Sequence, residues 1–220
     1  MISRQTNYLK GAITKMKRLF ASVISCVLIL SLICSGLTVF ATTITGAVDT
    51  DNFVRGVDVS TLDMLEDLGA RFYQNNVESD ALTILKNNGA NYVRLKLWVD
   101  PYDENGNPYG GGNNDYATTL ALARRAKNLG MGVLIDFHLS DFWTDPANQI
   151  KPKAWKDLSY SELKTTLYNY MKDTLNNFAA AGIVPEMVQV GNEISTGILH
   201  DDGKVGNGNE DFSNLAGLLE

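Results

Sequence analysis

Cysteine is almost missing from this chain. Only two cysteines, Cys26 and Cys34, occur among its 220 residues, and both lie within the first 41. Residues beyond position 41 therefore cannot form a disulfide with one another, and a buried apolar core must hold the fold together. With 179 residues left (220 − 41), that part of the chain is long enough to build one such core.

Acidic residues are absent from the first 41 positions, and residues 19–41 carry no charge at all. A basic head followed by an apolar stretch predicts a secretory signal peptide over residues 1–41, cut after Ala41. A polar linker over residues 42–52 would follow. The alternative is an uncleaved anchor, because 23 uncharged residues can span a bilayer. We expect a secreted, extracellular protein with no membrane association after cleavage.

Positive charge is scarce once this leader is set aside. Five of the 19 basic residues lie in it, so 19 − 5 = 14 basic residues face 25 acidic ones, a net charge of about −11. Nucleic-acid binding requires a basic face, so we expect no nucleic-acid partner.

A glycine-rich nucleotide-binding turn is also missing after the first predicted strand. Instead, four units repeat one order, a short apolar strand followed by a polar loop and a helical pattern that ends near a glycine. The predicted strands are 56–60, 91–99, 132–137 and 187–190, and the predicted helices are about 80–88, 116–129, 161–181 and 212–219. This order predicts an α/β fold with a parallel sheet. Because polar residues lie within these strands, we favour a (β/α)8 TIM barrel, of which residues 53–220 form about the first four units.

Glu193 follows the fourth strand directly, next to Asn192. A glutamate at the C-terminal end of a barrel strand points into the pocket, and an apolar wall beside it would favour its acid form near neutral pH. Asn192 can bind a substrate hydroxyl. The alternative for Glu193 is a structural role, at a helix N-terminus or in a salt bridge.

The chain has three tryptophans, and all of them follow predicted strands: Trp98, Trp143 and Trp155. An indole offers a flat apolar face and one N–H donor, which suits a sugar ring. The alternative is that they cover the core under long loops. Arg94, inside the second strand, requires a carboxylate partner such as Asp58 or Asp136, or else the candidate catalytic Glu193.

His138 and Asp136 lie on one side of the third strand because side chains alternate along a strand. A zinc site needs three or four ligands, and no recognisable ligand spacing completes this pair, so we expect no metal and no cofactor. Hydrogen bonding to a substrate or a structural role remains for His138. The segment from Asp103 to Asn107 is superficially similar to a calcium loop, but its glycine is misplaced and we predict a tight turn.

Four segments together closely resemble the endo-β-1,4-galactanases of glycoside hydrolase family 53, in clan A. They are residues 56–60, residues 93–101, residues 136–146 with Gln149, Pro152 and Trp155, and residues 188–193. The resemblance covers about residues 53–220 and implies retaining hydrolysis of β-1,4-galactan, the side chain of pectin, by a monomer. It implies that Glu193 is the acid/base and that Asn192 holds the substrate 2-hydroxyl. Further candidate substrate-binding residues are His138, Arg94, Trp143, Asp145 and Trp98.

A retaining mechanism requires a second carboxylate, which the family supplies from a glutamate at the end of its seventh strand. None of the acidic residues after Glu193 ends a predicted strand, so we expect the 220-residue chain alone to be inactive. Two alternatives remain open, a barrel remnant that binds galactan without cutting it and another clan A endo-glycanase.

Overall fold

A computed structural model describes residues 53–206, 208 and 210–220 of the chain. The predicted signal peptide and linker lie outside the described residues. Val54–Glu220 forms one compact unit. Within the described part, no helix has the length and apolar character needed to cross a membrane.

Helices and strands alternate along this unit. In chain order they are β1 (Gly56–Asp58), α1 (Leu62–Asp67), β2 (Tyr73–Gln74), β3 (Val77–Glu78), α2 (Ala81–Asn87), β4 (Tyr92–Leu97), α3 (Tyr116–Asn128), β5 (Gly132–Phe137), α4 (Tyr160–Ala180), β6 (Met187–Val190), β7 (Gly197–Ile198), β8 (Gly203–Lys204) and α5 (Ser213–Leu219), with 3₁₀ turns at Lys153–Trp155 and Ile194–Thr196.

The main sheet has four parallel strands in the order β1-β4-β5-β6. A helix follows each strand, so the predicted fold class, an α/β barrel with its first four units present, is confirmed. All four carboxyl ends therefore meet at one edge of the sheet, where ligand sites of parallel α/β folds lie.

The two faces of the sheet have different chemistry. Val93, Leu95 and Leu97 of β4 are fully buried, and the matching residues of β5 join them in the core cluster together with α3 and α4. For example, Phe137 packs edge-to-face against Tyr170 of α4. Because side chains alternate, the polar residues of the same strands lie on the opposite face, which carries the site.

β1 and β4 end earlier than predicted because other hydrogen bonds replace those between neighbouring strands. The Asp58 carboxylate accepts hydrogen bonds from the backbone N–H and the hydroxyl of Ser60, which turns the chain after β1. The backbone N–H of Trp98 donates to the Asn114 carbonyl, so β4 ends at Leu97. The segment predicted as a loop after β1 instead contains α1 and the β2–β3 hairpin. The hairpin turn forms because Asn75 and Asn76 both take positive φ, which asparagine tolerates.

The helix predicted to begin at about residue 161 begins one residue earlier. α4 begins at Tyr160, and the Glu162 carboxylate accepts hydrogen bonds from the backbone N–H and hydroxyl of Ser159, at 2.9 and 2.5 Å. This capping box satisfies donors that would otherwise be left unpaired at the helix start.

We predict that Ser159→Ala lowers the Tm of the protein by about 3 °C, since it removes a capping residue. Ser161→Ala, the matched control inside the first turn of the helix, should leave the Tm nearly unchanged. Thermal unfolding followed by circular dichroism measures both. A larger loss for Ser161→Ala would contradict the capping assignment.

Candidate active site

Arg94 of β4 lies at the centre of the polar face. Its Nη1 is 2.6 Å from Asp58 Oδ2 and its Nη2 is 2.5 Å from Asp136 Oδ2. Nη2 also donates to Asn192 Oδ1 at 2.9 Å, and Nε donates to Gln189 Oε1 at 3.3 Å. Of the predicted carboxylate partners of Arg94, Asp58 and Asp136 are thus confirmed, and each is supplied by a neighbouring strand.

Asp58 binds a second cation. Lys96 Nζ lies 2.8 Å from Asp58 Oδ2, and Lys96 is itself buried. Burial alone would raise the pKa of Asp58, but hydrogen bonds from Lys96 and Ser60 outweigh it and hold that pKa below its ordinary value. The carboxylate therefore stays ionised and neutralises the cations on the polar face.

His138 is fully buried beside this network. Its Nδ1 accepts the backbone N–H of Thr144 at 3.1 Å, which assigns the proton of the neutral ring to Nε2. Nε2 lies 3.0 Å from Asp136 Oδ2, outside the alignment of a hydrogen bond, so the contact is electrostatic. The prediction that Asp136 and His138 share one side of the strand is confirmed.

Asn192 follows β6 and is almost completely buried. Its Nδ2 donates to the Thr144 carbonyl at 2.6 Å, while its Oδ1 accepts from Arg94. One amide N–H remains for a substrate hydroxyl. Its role toward the 2-hydroxyl stays a prediction.

Glu193 has an exposed side chain, and its carboxylate makes no hydrogen bond or ion pair with any described residue. The apolar wall expected beside it stays a prediction. Its backbone is left-handed, with φ 52° and ψ 46°. A carboxylate at the end of a strand, facing solvent and without a partner, can reach a substrate atom.

Gly191 makes this turn possible. It has φ +82°, and a Cβ placed there would lie 2.6 Å from Ile194 Cγ2, closer than such atoms can approach. The chain therefore requires glycine just before Asn192 and Glu193.

The tryptophans divide into two groups. Trp98 and Trp155 are buried, so neither offers an open ring face to a ligand. Trp155 belongs to the core cluster and packs edge-to-face against Tyr170, whereas Trp98 packs against His138, Phe142 and Trp143. The prediction of a sugar platform at Trp98 is therefore wrong. Trp143 is 43% exposed and packs edge-to-face on Trp98, with Lys96 Nζ 4.5 Å from its ring centroid. It remains a candidate platform.

Asp145 closes a turn instead of reaching into the site. Its carboxylate accepts the side-chain amide of Asn148 and the backbone N–H groups of Ala147 and Asn148. Hydrogen bonds from Asn148 and Ala147 hold the pKa of Asp145 below its ordinary value. The part predicted for Asp145 in substrate binding is not supported by these contacts.

Asp103 forms a similar turn. Its carboxylate accepts the backbone N–H groups of Asn105 and Asn107 and the side-chain amide of Asn107. The prediction of a tight turn here is confirmed.

Three residues in the site had no assigned role from the sequence. Lys96 orients Asp58 and Trp143, Thr144 holds His138 and Asn192, and Gln149 binds the carbonyl of Asn192. Gln149 was part of the motif but had no chemistry attached to it. The sequence places Lys96 inside a strand, but it does not show which residues from other segments of the chain contact it.

We predict that Arg94→Met lowers the free energy of unfolding by about 3 kcal/mol, because it leaves the buried Asp136 carboxylate without its cation. Arg71→Met is the matched control. It removes the exposed pair with Glu78 and an exposed hydrogen bond to the neighbouring Ala70 carbonyl, and should cost less than about 1 kcal/mol. Urea unfolding of each variant gives both values, and equal losses would show that the network adds nothing to stability.

Known proteins resemble this chain along its described length. The model of Glycosyl hydrolase family 53 matches residues 54–220. The endo-beta-1,4-galactanase of Bacillus subtilis is 49% identical over 147 residues, which are 66% of this chain and 34% of the relative. The arabinogalactan endo-beta-1,4-galactanase A of Aspergillus niger is 42% identical over 166 residues, 75% of this chain and 44% of the relative.

A solved structure, the GH53 catalytic domain of Ignisphaera aggregans, superposes with a TM-score of 0.72 at 49% identity and covers 76% of this chain and 46% of that one. The chain thus spans less than half the length of each of these relatives. Because the family model matches residues 54–220, which contain every helix and strand described above, the chain belongs to glycosyl hydrolase family 53.

Proposed function

We propose that this chain is part of an enzyme that hydrolyses β-1,4-galactosidic bonds within the (arabino)galactan side chains of pectin. Membership of the family supports a glycosidase, and relatives named endo-beta-1,4-galactanase support the substrate. The observation that carries the proposal is the exposed, unpartnered Glu193 carboxylate directly after β6, beside the Arg94 network.

In this mechanism Glu193 is the general acid/base. It protonates the glycosidic oxygen as the leaving sugar departs, and it then removes a proton from the water that releases the product. Asn192, oriented by Arg94 and Thr144, donates its remaining N–H to the 2-hydroxyl of the sugar. Such a hydrogen bond strengthens in the transition state and lowers the barrier.

The proposed cleft is lined by groups with complementary chemistry. Trp143 offers a partly exposed ring face to a sugar. Arg94 donates to Asn192, and the Asp136 carboxylate lies beside both Arg94 and His138. The charges of Arg94 and Asp136 polarise the region where an oxocarbenium-like transition state would develop.

The retaining step requires a second carboxylate about 5–5.5 Å from the first. On the same face of the sheet, Asp58 and Asp136 are ion-paired to Arg94, which makes them poor nucleophiles. We therefore assign the nucleophile to the second half that the relatives have. Below, the completed enzyme means residues 54–220 continued into such a half, from the chain's own reading frame or from the Bacillus subtilis galactanase.

We predict that Glu193→Gln in the completed enzyme lowers kcat/KM on galactan by about 10³-fold, because the proton donor is lost. Galactan binding, measured by calorimetry, should persist. Glu104→Gln, which changes another exposed glutamate, is the control and should keep the parent rate. Near-parent turnover by Glu193→Gln would place the proton donor elsewhere.

We predict that the 220-residue chain alone releases no sugar from galactan, since the nucleophile is supplied by the second half. Reducing-sugar release from galactan, mannan and cellulose, assayed for the chain and for the completed enzyme, checks this. Turnover by the chain alone would refute the assignment of the nucleophile. A completed enzyme that binds galactan without cutting it is a binding protein, and preference for mannan or cellulose indicates another glycanase.

A further inference from the structure

The backbone that carries Glu193 lies outside the sheet. Gly191 N–H donates to the Phe137 carbonyl at 2.8 Å, directly after the four residues of β6. Asn192 and Glu193 follow, and Glu193 takes the left-handed conformation. For a residue with a Cβ this conformation is energetically unfavourable, and it persists only where surrounding contacts impose it.

Gln149 supplies those contacts. Its Nε2 donates to the Asn192 carbonyl at 2.7 Å and lies 3.4 Å from the Glu193 carbonyl. The same nitrogen lies 3.1 Å from the Asp145 carbonyl. One amide group thus gathers three backbone carbonyls from the loop after β5 and the turn after β6.

Gln149 is itself held rigidly. It is 2% exposed, and its backbone carbonyl accepts a hydrogen bond from the backbone N–H of His200 at 2.7 Å. Because the Gln149 backbone is hydrogen-bonded and its side chain is buried, the side-chain amide holds the carbonyls that it binds in fixed positions. The direction of the Glu193 side chain follows from the two carbonyls that Gln149 fixes, because they set the backbone dihedral angles of that residue.

We propose that Gln149 is a positioning residue for the general acid. By holding the carbonyls of Asn192 and Glu193, it aims the Glu193 carboxylate at the glycosidic oxygen. This inference rests on the proposed function, and it assigns to Gln149 an effect on proton donation beyond its contribution to stability.

Proton donation can be separated from folding by the choice of leaving group. Galactan has a poor leaving group that must be protonated as the bond breaks, whereas 2,4-dinitrophenolate departs without protonation. A misaimed acid therefore slows attack on galactan and leaves attack on 2,4-dinitrophenyl β-1,4-galactobioside unchanged. kcat/KM reports the first bond-breaking step. The ratio of kcat/KM on galactan to kcat/KM on the dinitrophenyl substrate therefore measures how well Glu193 is positioned to donate its proton.

The test compares Gln149→Met with the unmodified completed enzyme. Methionine keeps the length of the side chain and removes both N–H donors. We predict a loss in kcat/KM of about 30-fold or more on galactan, since displacements near 1 Å can cost 10²-fold. On the dinitrophenyl substrate the loss should stay below about threefold, because the reaction there requires no proton donor.

Thr196→Val is the matched control. It removes the hydrogen bond from Thr196 Oγ1 to the Pro146 carbonyl, which joins the same two loops without touching Asn192 or Glu193. Its effect on the two substrates should be equal. Gln149→Asn, which keeps the donors on a shorter side chain, should show a smaller loss with the same bias, and it provides the measurement if Gln149→Met does not fold.

Each outcome bears on one of the two claims. Equal losses on both substrates in Gln149→Met or Gln149→Asn, in step with a lower Tm, would overturn the positioning role and leave a structural one. Parent-like rates on galactan would overturn it as well. If the unmodified completed enzyme does not cut galactan, or if Glu193→Gln still does, the proposed function fails instead.

Discussion

The guanidinium of Arg94 contacts side chains from each of the other three parallel strands. Asp58 comes from β1, Asp136 from β5 and Gln189 from β6. A charge on the polar face of the sheet loses hydration, and only well-placed partners offset that loss. The network therefore requires the register of the sheet, and it also fixes how the carboxyl ends of the strands lie relative to one another.

Hydrogen bonds connect this network to the backbone that carries Glu193, the proposed acid. Arg94 and the Thr144 carbonyl together leave Asn192 a single orientation. Gln149 then binds the carbonyl of Asn192, one residue before Glu193. A flexible glutamate side chain is thus mounted on a backbone that side chains from two other strand–loop units hold in place. Rigid support beneath a reactive group lowers the cost of reaching the transition state.

The sequence predicted most of the fold and part of the site. Strands β5 and β6 and the start of α3 at Tyr116 agree with the structure, because apolar runs and capping residues act locally. The parallel sheet followed from the alternation of strands and helices. The partners of Arg94 were predictable as well, since a charge in a strand demands an opposite one nearby.

By itself, then, the sequence determined the units, the face that carries polar groups and the placement of Glu193 after a strand. The tertiary structure decided which tryptophan is open, because Trp98 and Trp143 both follow strands and only their packing distinguishes them. It also decided the roles of Asp145 and Gln149, since one closes its own turn and the other reaches across to the turn after β6. A buried charge demands an opposite charge, but an uncharged amide does not name its partner, so nothing in the sequence indicated that Gln149 binds the carbonyl of Asn192, 43 residues further along the chain.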